Sequence, residues 1–553
     1  MHQRHTTRML SAVLLAAAAL TTACSDESLR VTNPNNPDIQ TVYSTPRDVE
    51  AVVSRLYQQM HNGIYASSDA IWPQSMTMSF ESSSQLGNFG MGTRGAIPRS
   101  PIDNSIGNNV AAGNFRDFDH LMRNARSASN AIAALDTFIA KNVSTGSAQR
   151  DARARAMAYF TLGFAHGQVS LLYDSAYTIK PGEPYDPDNL LPLVGASEVN
   201  AWALQALDSA FAISDRARGL TPEGFPADWI GVSGGVDVDR FRRIVRSYKA
   251  RYRAGVARDA QQRAAVDWAA VIADATNGID SDHVLQMSST AGWSLAVLAQ
   301  LRVSTGWSQM TPFILGMADT SGGYQAWLAQ PLMQRTPFLM HTPDRRFPSG
   351  ATRGLQTAAS GGNSRSGPGA ASMLYFRNRP SGEDTPAEPW GTWYYDNHRF
   401  WGVGAAGGSG PFVAMARAEN DMLAAEGYIR TGQVALATPL IDRYRTAAGL
   451  PSVAGITNTT TPVPGGNACV PKVPQAPGFT TTACGNILEA MKWEKRVETS
   501  FTGASQWFID SRGWGDLAEG TVTQWPVPWQ ELFARGFSSY TTQDRAPRGT
   551  YGF

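Results

Sequence analysis

The chain has 553 residues, enough for about three or four domains' worth of core at roughly 150 residues each. Its 47 basic and 46 acidic residues leave a net charge of +1, and charged residues are only 17% of the total, so no bulk field draws it to nucleic acid or to an anionic membrane surface. With 42% hydrophobic residues and 15 Trp it is too rich in core formers for a disordered chain, and its three cysteines exclude both a disulfide-dense scaffold and a four-thiolate zinc site.

At the N-terminus, Arg4 and Arg8 precede an apolar run from Met9 to Leu20 broken only by Ser11, and small residues then lead to Cys24. This is the pattern of a signal peptide over 1–23. The run makes about 18 Å of helix at 1.5 Å per residue, short of the roughly 30 Å hydrocarbon layer, and no later segment supplies a spanning stretch. Leu20-Thr21-Thr22-Ala23-Cys24 resembles a bacterial lipobox, in which cleavage before the cysteine leaves its thiol to carry a diacylglyceryl group. Thr21 stands where Leu is usual, and a plain secretory cut after Ala23 is the alternative. Ser25-Asp26-Glu27 reads either as an ordinary tether or as an acidic signal for the outer face of an outer membrane. Loss of Arg4 and Arg8 leaves 45 basic against 46 acidic residues, so anchoring rests on acyl chains at Cys24, at ~0.8 kcal/mol per buried methylene, and not on a basic patch.

Helical periodicity begins at Phe115 and continues through Phe118, Leu121, Met122, Ala125, Ile132, Leu135 and Ile139. An Ala-rich helix over 151–172 follows, with Gly146 in the intervening turn, and the two are expected to form an antiparallel hairpin. A second pair is expected from Ser197 to about Ala217 and from Asp237 to about Ala257, Ser197 and Asp237 serving as N-caps, with a further helix near 264–276. A third pair spans 412–431 and 433–448, hinged on Gly432 and stopped by Gly449 and Pro451, and a last helix begins at Asn486. These pairs have the size of tetratricopeptide units without that repeat's consensus. The fold class is therefore mostly α, a scaffold of paired antiparallel helices with long loop insertions.

Between the second and third pairs, about 288–411, the chain is rich in Gly and Pro with few periodic apolar runs, and loops of that length inside a compact protein are usually functional or disordered. Within it, Trp390, Trp393, Tyr394, Tyr395, Phe400 and Trp401 are interleaved with Asn397, His398 and Arg399. Flat rings cover the apolar face of a sugar or a peptide side chain while amides and guanidinium groups take hydroxyls or amides. Trp393, Tyr394 and Trp401 are the leading ligand-binding candidates, followed by Trp390, Tyr395, Asn397, Arg399, Trp72 and Trp307; the competing role for any one ring is to nail a loop onto the core. Trp293, Tyr324 and Trp327 lie in comparable segments. With Cys24 assigned to the anchor, Cys469 and Cys484 remain as an even pair in an oxidising compartment, either bridged or as two free thiols.

Three segments together resemble the SusD/RagB family of lipidated outer-membrane proteins. The first is Arg153-Ala-Arg-Ala-Met-Ala-Tyr-Phe-Thr-Leu followed by Gly167 and Leu171-Leu172-Tyr173. The second runs from Arg417-Ala-Glu-Asn-Asp to Glu426 and on to Ile441-Asp-Arg-Tyr-Arg445 and Gly449-Leu-Pro451. The third comprises Glu489, Trp493-Glu494-Lys-Arg496-Val-Glu498, Trp507-Phe-Ile-Asp510-Ser-Arg512-Gly-Trp514-Gly515 and Trp525-Pro-Val-Pro528, near the C-terminus as in that family. Gln506 in place of the usual Arg, Thr502 in place of an acid and the extra Ile509 before Asp510 are departures. The resemblance implies a single helical domain over 24–553 that closes over a SusC-like TonB-dependent transporter barrel, catches an oligosaccharide or peptide and passes it to the pore. It implies no cofactor and no nucleic-acid partner.

Motifs for chemistry are sparse. The eight His are scattered singly, so no metal-ligand spacing is present. Gly231-Val-Ser233-Gly-Gly235 matches a nucleophile elbow in letters, but Ala227-Asp-Trp-Ile before it is no convincing strand. Asp280 and Asp282 read as a capped turn rather than a calcium loop, and Glu494, Arg496, Glu498, Asp510 and Arg512 as a structural charge network. The alternatives to a binding lipoprotein are a membrane-anchored hydrolase of glycans or peptides, whose paired carboxylates only three-dimensional spacing reveals, and a periplasmic helical adaptor.

Overall fold

The structure is a computed structural model that describes residues 43–65, 70–83, 90–108, 112–220, 224–294, 309–360, 374–383 and 393–547. Cys24 with the leader, Trp307 and Trp390 lie outside the described residues. The fold is mostly helical: α1 (Pro46–Tyr65), α2 (Ile71–Met78), α3 (Ala112–Ala140), α4 (Ala148–Leu172), α5 (Ala196–Ser214), α6 (Val238–Gly255), α7 (Trp268–Thr276), α8 (Arg417–Arg430), α9 (Val434–Arg445), α10 (Ile487–Glu498) and α11 (Gln506–Trp514).

The pairing is antiparallel, and cross-helix bonds fix it. At the turn end of the α3–α4 hairpin, Arg155 meets Asp136 at 2.7 Å, and at the other end the Phe118 N–H donates to the Tyr173 hydroxyl at 3.0 Å. In α5–α6, Asn200 Nδ2 donates to the Tyr252 carbonyl and Arg242 to the Phe211 carbonyl, an opposed register. Asp421 near the start of α8 accepts from Tyr444 near the end of α9 at 2.6 Å, across the turn at Gly432. Helix α4 carries Ala, Leu and Phe on nearly every side and is buried accordingly. Its two glycines permit the close approach: a Cβ on Gly167 would stand 2.2 Å from the Tyr252 ring, and one on Gly163 2.7 Å from Leu207.

Local expectations hold where the signal is local. Asp237 caps α6 by accepting from the Arg240 N–H, and Asn486 caps α10 by accepting from the Leu488 and Glu489 N–H groups. Ser197 is not a cap. Helix α5 starts at Ala196, whose N–H donates to the Asp174 carbonyl at 3.0 Å because a small strand pair, Ser175–Ala176 with Val194–Gly195, brings that carbonyl there. The helix expected over 264–276 is two pieces, Ala260–Ala264 and α7, each with its own Asp cap.

The helix expected from 412 is a correction. Residues Gly410–Met415 form β4, paired antiparallel with β1 (His283–Met287) in a register that sets Leu285 opposite Phe412. Pro411 has no N–H to give a helix and Val413 favours the pleat, but the strand exists because its partner arrives from the 283–287 stretch. Helix α8 then begins at Arg417, whose N–H donates to Asp282 Oδ1 at 2.8 Å. The long insertion also contributes β2 (Phe376–Asn378) and β3 (Tyr395–Asn397), paired with Arg377 opposite Asp396. Beyond α9, β5 (Lys472–Gln475) and β6 (Thr481–Cys484) form a hairpin that the Cys469–Cys484 disulfide ties to the preceding loop.

One apolar cluster joins residues from Val49 to Ala546, and a second packs α8, α9 and α10 under the disulfide loop. Buried ion pairs stitch the C-terminal helices to this body. Arg346 meets Asp344 at 2.7 Å, Glu494 at 2.8 Å and Glu498 at 2.9 Å. Arg263 meets Glu426 at 2.6 Å and Asp510 at 3.3 Å, Lys495 meets Asp510 at 2.8 Å, and Arg251 meets Glu419 at 2.6 Å. Arg512 donates to the carbonyls of Gly255 and Thr523, both at 2.8 Å.

Candidate functional site

The aromatic run of the insertion enters the fold as β3 and the turn after it. Trp393 just before the strand, and Tyr395 and Asn397 within it, turn inward, and Asp396 between them is covered as well. Trp393 Nε1 donates to the Phe338 carbonyl at 3.0 Å, and its ring lies 4.7 Å from that of Tyr395. The Tyr395 hydroxyl donates to Gln356 Oε1 at 2.6 Å and accepts from the Met340 N–H at 3.0 Å. Asn397 Nδ2 donates to Ser500 Oγ at 3.1 Å.

These three side chains are buried, as is Trp72, whose ring sits edge-on to Tyr65 and Phe412. Their expected place on an open platform is therefore corrected: distant segments cover all four side chains and bond the polar groups of Trp393, Tyr395 and Asn397. Trp293, packed between Tyr57 and His61, and Tyr324 and Trp327, packed around Phe313, are buried as well.

The half-exposed remainder of the run is Tyr394, Arg399 and Trp401. The Arg353 guanidinium lies over the Tyr394 ring at 4.2 Å, and that of Arg399 over Tyr375 at 4.5 Å. Arg399 is held further by donating to the Glu498 carbonyl. Trp401 opens a short helix, Trp401–Ala405, and stacks on His398 with 6.2 Å between ring centroids. Its Nε1–H is enclosed, with no acceptor among the described residues. Arg353, Tyr375 and His398 were missed as partners in the sequence; only His398 had a signal there, its place inside the aromatic run.

Several loops meet beneath these residues. Asp396 bridges to Gln309 through the backbone, the Ser83 N–H donates to the Gln309 carbonyl at 2.9 Å, and the Arg379 N–H to the Tyr394 carbonyl at 2.8 Å. Asn62 of α1 ties down 292–294 by donating to the Gly292 carbonyl at 2.8 Å and accepting from the Ser294 N–H at 3.1 Å. Asp396 itself is enclosed with Arg377 at 3.0 Å; burial pushes its carboxyl up to about 6 against the pull of that guanidinium.

The groups suited to hydrolysis are arranged otherwise. Burial pulls the imidazoles of His61 and His283 down to about 3 each and that of His166 to about 4, so all three are neutral at pH 7. The neighbouring carboxylates Glu494 and Glu498 share Arg346, and Glu426 and Asp510 share Arg263, all of them inside the protein. Ser233 is exposed on a turn after the short helix Ala227–Ile230, with the Trp293 ring against Gly231, and a helix rather than a strand precedes it among the described residues. Among the described residues no group of three or more His, Cys, Asp or Glu is placed to hold a metal ion, and no helix is long and apolar enough to cross a membrane. What the half-exposed residues offer is the open part of the Tyr394 and Trp401 rings and of the Arg399 side chain, which suits reversible contact with a ligand.

No protein-family model matches the chain, and no curated protein matches it in sequence. Solved structures do match. A SusD superfamily protein from Bacteroides vulgatus aligns over 91% of this chain and 99% of its own, with a TM-score of 0.50 and 11% identity. A SusD/RagB family protein from Bacteroides thetaiotaomicron aligns over 88% and 94%, with a TM-score of 0.50 and 11% identity. A SusD homolog from Parabacteroides distasonis aligns over 84% of each chain, with a TM-score of 0.52 and 14% identity.

Proposed function

We propose that this chain, which has the SusD/RagB fold, is a lipid-anchored binding protein of the outer membrane that captures an oligomeric nutrient, glycan or peptide, and hands it to a TonB-dependent transporter. The observation that carries this reading is the match of the helical scaffold to SusD-like structures over most of the chain, in a sequence whose leader ends at a lipobox-like Cys24. A scaffold of interlocked helix pairs tied by buried ion pairs moves as one body, as a lid must. Tyr394, Arg399 and Trp401 are the residues assigned to ligand contact, and catalysis is assigned to none. The test has two arms. Tagged chain is recovered from mildly solubilised membranes, where a large β-barrel is expected to co-purify, and the purified mature chain is titrated with glycan and peptide oligomers. Recovery without any barrel, together with cleavage of such polymers by the purified chain, would reverse the assignment in favour of a hydrolase.

A further inference from the structure

Away from the aromatic loop, the N-terminal part of α3 faces the 177–191 loop and the helix Trp529–Ala534 across an open cleft of about 270 Å³. Its wall is apolar: Phe118, Met122 and Tyr177 form it with Leu190 and Leu191, and the Phe118 and Tyr177 rings stand edge to face at 6.2 Å. Its charges are mostly spoken for. Arg123 is paired with Asp119, and Arg535 with Glu531 at 2.7 Å while its guanidinium covers Tyr177 at 5.1 Å.

Two lining charges of opposite sign have no ion-pair partner among the described residues. Arg126 donates only to the Glu183 carbonyl and meets no carboxylate among the described residues. Asp186, exposed at the cleft, accepts only from the Asp188 N–H, at 3.0 Å, among the described residues. A guanidinium held in place by a backbone carbonyl, beside an aromatic wall, is suited to a carboxylate attached to a ring. The polar groups are few and the apolar wall is preformed, the usual composition of a small-ligand site.

From this juxtaposition we infer that the cleft binds an aromatic α-amino acid, free or as the carboxyl-terminal residue of a peptide. The ring packs along the wall formed by Met122, Tyr177, Leu190 and Leu191, and the carboxylate pairs with Arg126. In a free amino acid the ammonium faces Asp186. This site is independent of the transport role, because it requires nothing but the purified chain.

The experiment is calorimetric titration of the mature chain with L-phenylalanine, phenylalaninamide and glycyl-glycyl-phenylalanine. Phenylalanine is expected to bind saturably and the amide at least about tenfold more weakly, since a charge-assisted hydrogen bond is lost. Arg126→Gln is expected to weaken phenylalanine to the level of the amide, and Arg126→Lys to restore part of the affinity. Leu190→Trp, a substitution of a half-buried loop residue, is expected to fill the cleft and abolish binding with the circular dichroism unchanged. Equal affinity for the tripeptide assigns the site to peptide termini, and a weaker one assigns it to the free amino acid. No saturable binding up to about 10 mM, equal binding of acid and amide, or indifference to Leu190→Trp would overturn the inference.

Discussion

Replacing Arg263 with Met removes the cation at the centre of a fully enclosed ion cluster. Arg263 holds Glu426 through two bonds, at 2.6 and 3.0 Å, reaches Asp510 at 3.3 Å and donates to the Ala254 carbonyl at 2.8 Å. Its side chain and that of Glu426 are 0% exposed. In Arg263→Met, Glu426 keeps Arg430 at 2.9 Å and Trp514 Nε1 at 3.1 Å, and Asp510 keeps Lys495, so the two carboxylates are under-compensated rather than abandoned.

Breaking a buried pair from one side costs ~3–5 kcal/mol, which at about 1 °C per kcal/mol for a chain of this size is a fall in Tm of roughly 3–5 °C at pH 7. The pH dependence identifies the cause. Burial opposes ionisation of Glu426, but Arg263, with Arg430 and Lys495, outweighs it and holds the carboxyl down at about 2, against 4.5 for a free glutamate. A depressed carboxyl contributes stability that is complete above the unfolded pKa and is lost as pH falls toward the folded one. The wild type therefore gives up about 3 kcal/mol from this group between pH 5 and 2. Arg263→Met has little of that contribution to lose, so the deficit seen at pH 7 should narrow as the pH is lowered. Thermal or urea unfolding followed by Trp fluorescence at pH 7, 5 and 3 measures it. A deficit that stays constant across this range would refute the electrostatic account and point to lost packing around Arg263.

Three other outcomes follow from the same structure. Trp393→Ala and Tyr395→Ala are expected to destabilise by ~3–5 kcal/mol in urea titrations, whereas Tyr394→Ala and Trp401→Ala cost less than about 1.5 kcal/mol and instead lower capture of the oligomeric ligand; equal stability losses in all four would remove the distinction between core and contact rings. Reducing the Cys469–Cys484 bond, which spans 15 residues, is expected to cost ~3 kcal/mol, and limited proteolysis should then cut first between 452 and 485. Glu81, enclosed and accepting one bond from the Phe501 N–H at 2.7 Å, has its carboxyl pushed by burial up to about 8. The folded state thus holds a proton that the unfolded state releases above about pH 4.5, and stability falls between pH 5 and 8. Glu81→Gln should flatten that slope and raise the Tm most at pH 8, and a Tm gain that is the same at pH 5 and 8 would count against a protonated Glu81.

The helix pairs were legible in the sequence because a helix is specified by neighbours three and four residues away. Phe118, Leu121, Met122 and Ala125 mark one face of α3, Asp237 and Asn486 announce their helices as caps, and Gly432 makes the α8–α9 turn. The charge network was legible as a set of residues, Glu494, Glu498, Asp510 and Arg512, though not the partners it needed. Arg346, Arg263 and Gly255 come from 148, 247 and 257 positions away in the chain.

What only the tertiary structure decided is which way the aromatic rings face. Trp393 and Tyr394 are adjacent and chemically alike, yet one is bonded to Phe338 inside the body and the other is half-exposed under Arg353. The local pattern around them is the same whichever face is buried, because a strand's inward side is set by the segments that pack on it, here 338–356 and 376–378. The β1–β4 pair is of the same kind: residues 412–415 read as helix until 283–287 lies beside them and takes up their backbone hydrogen bonds. Periodicity is a local property and survives in one dimension, whereas burial is a relation between distant segments and arises only when the chain closes on itself.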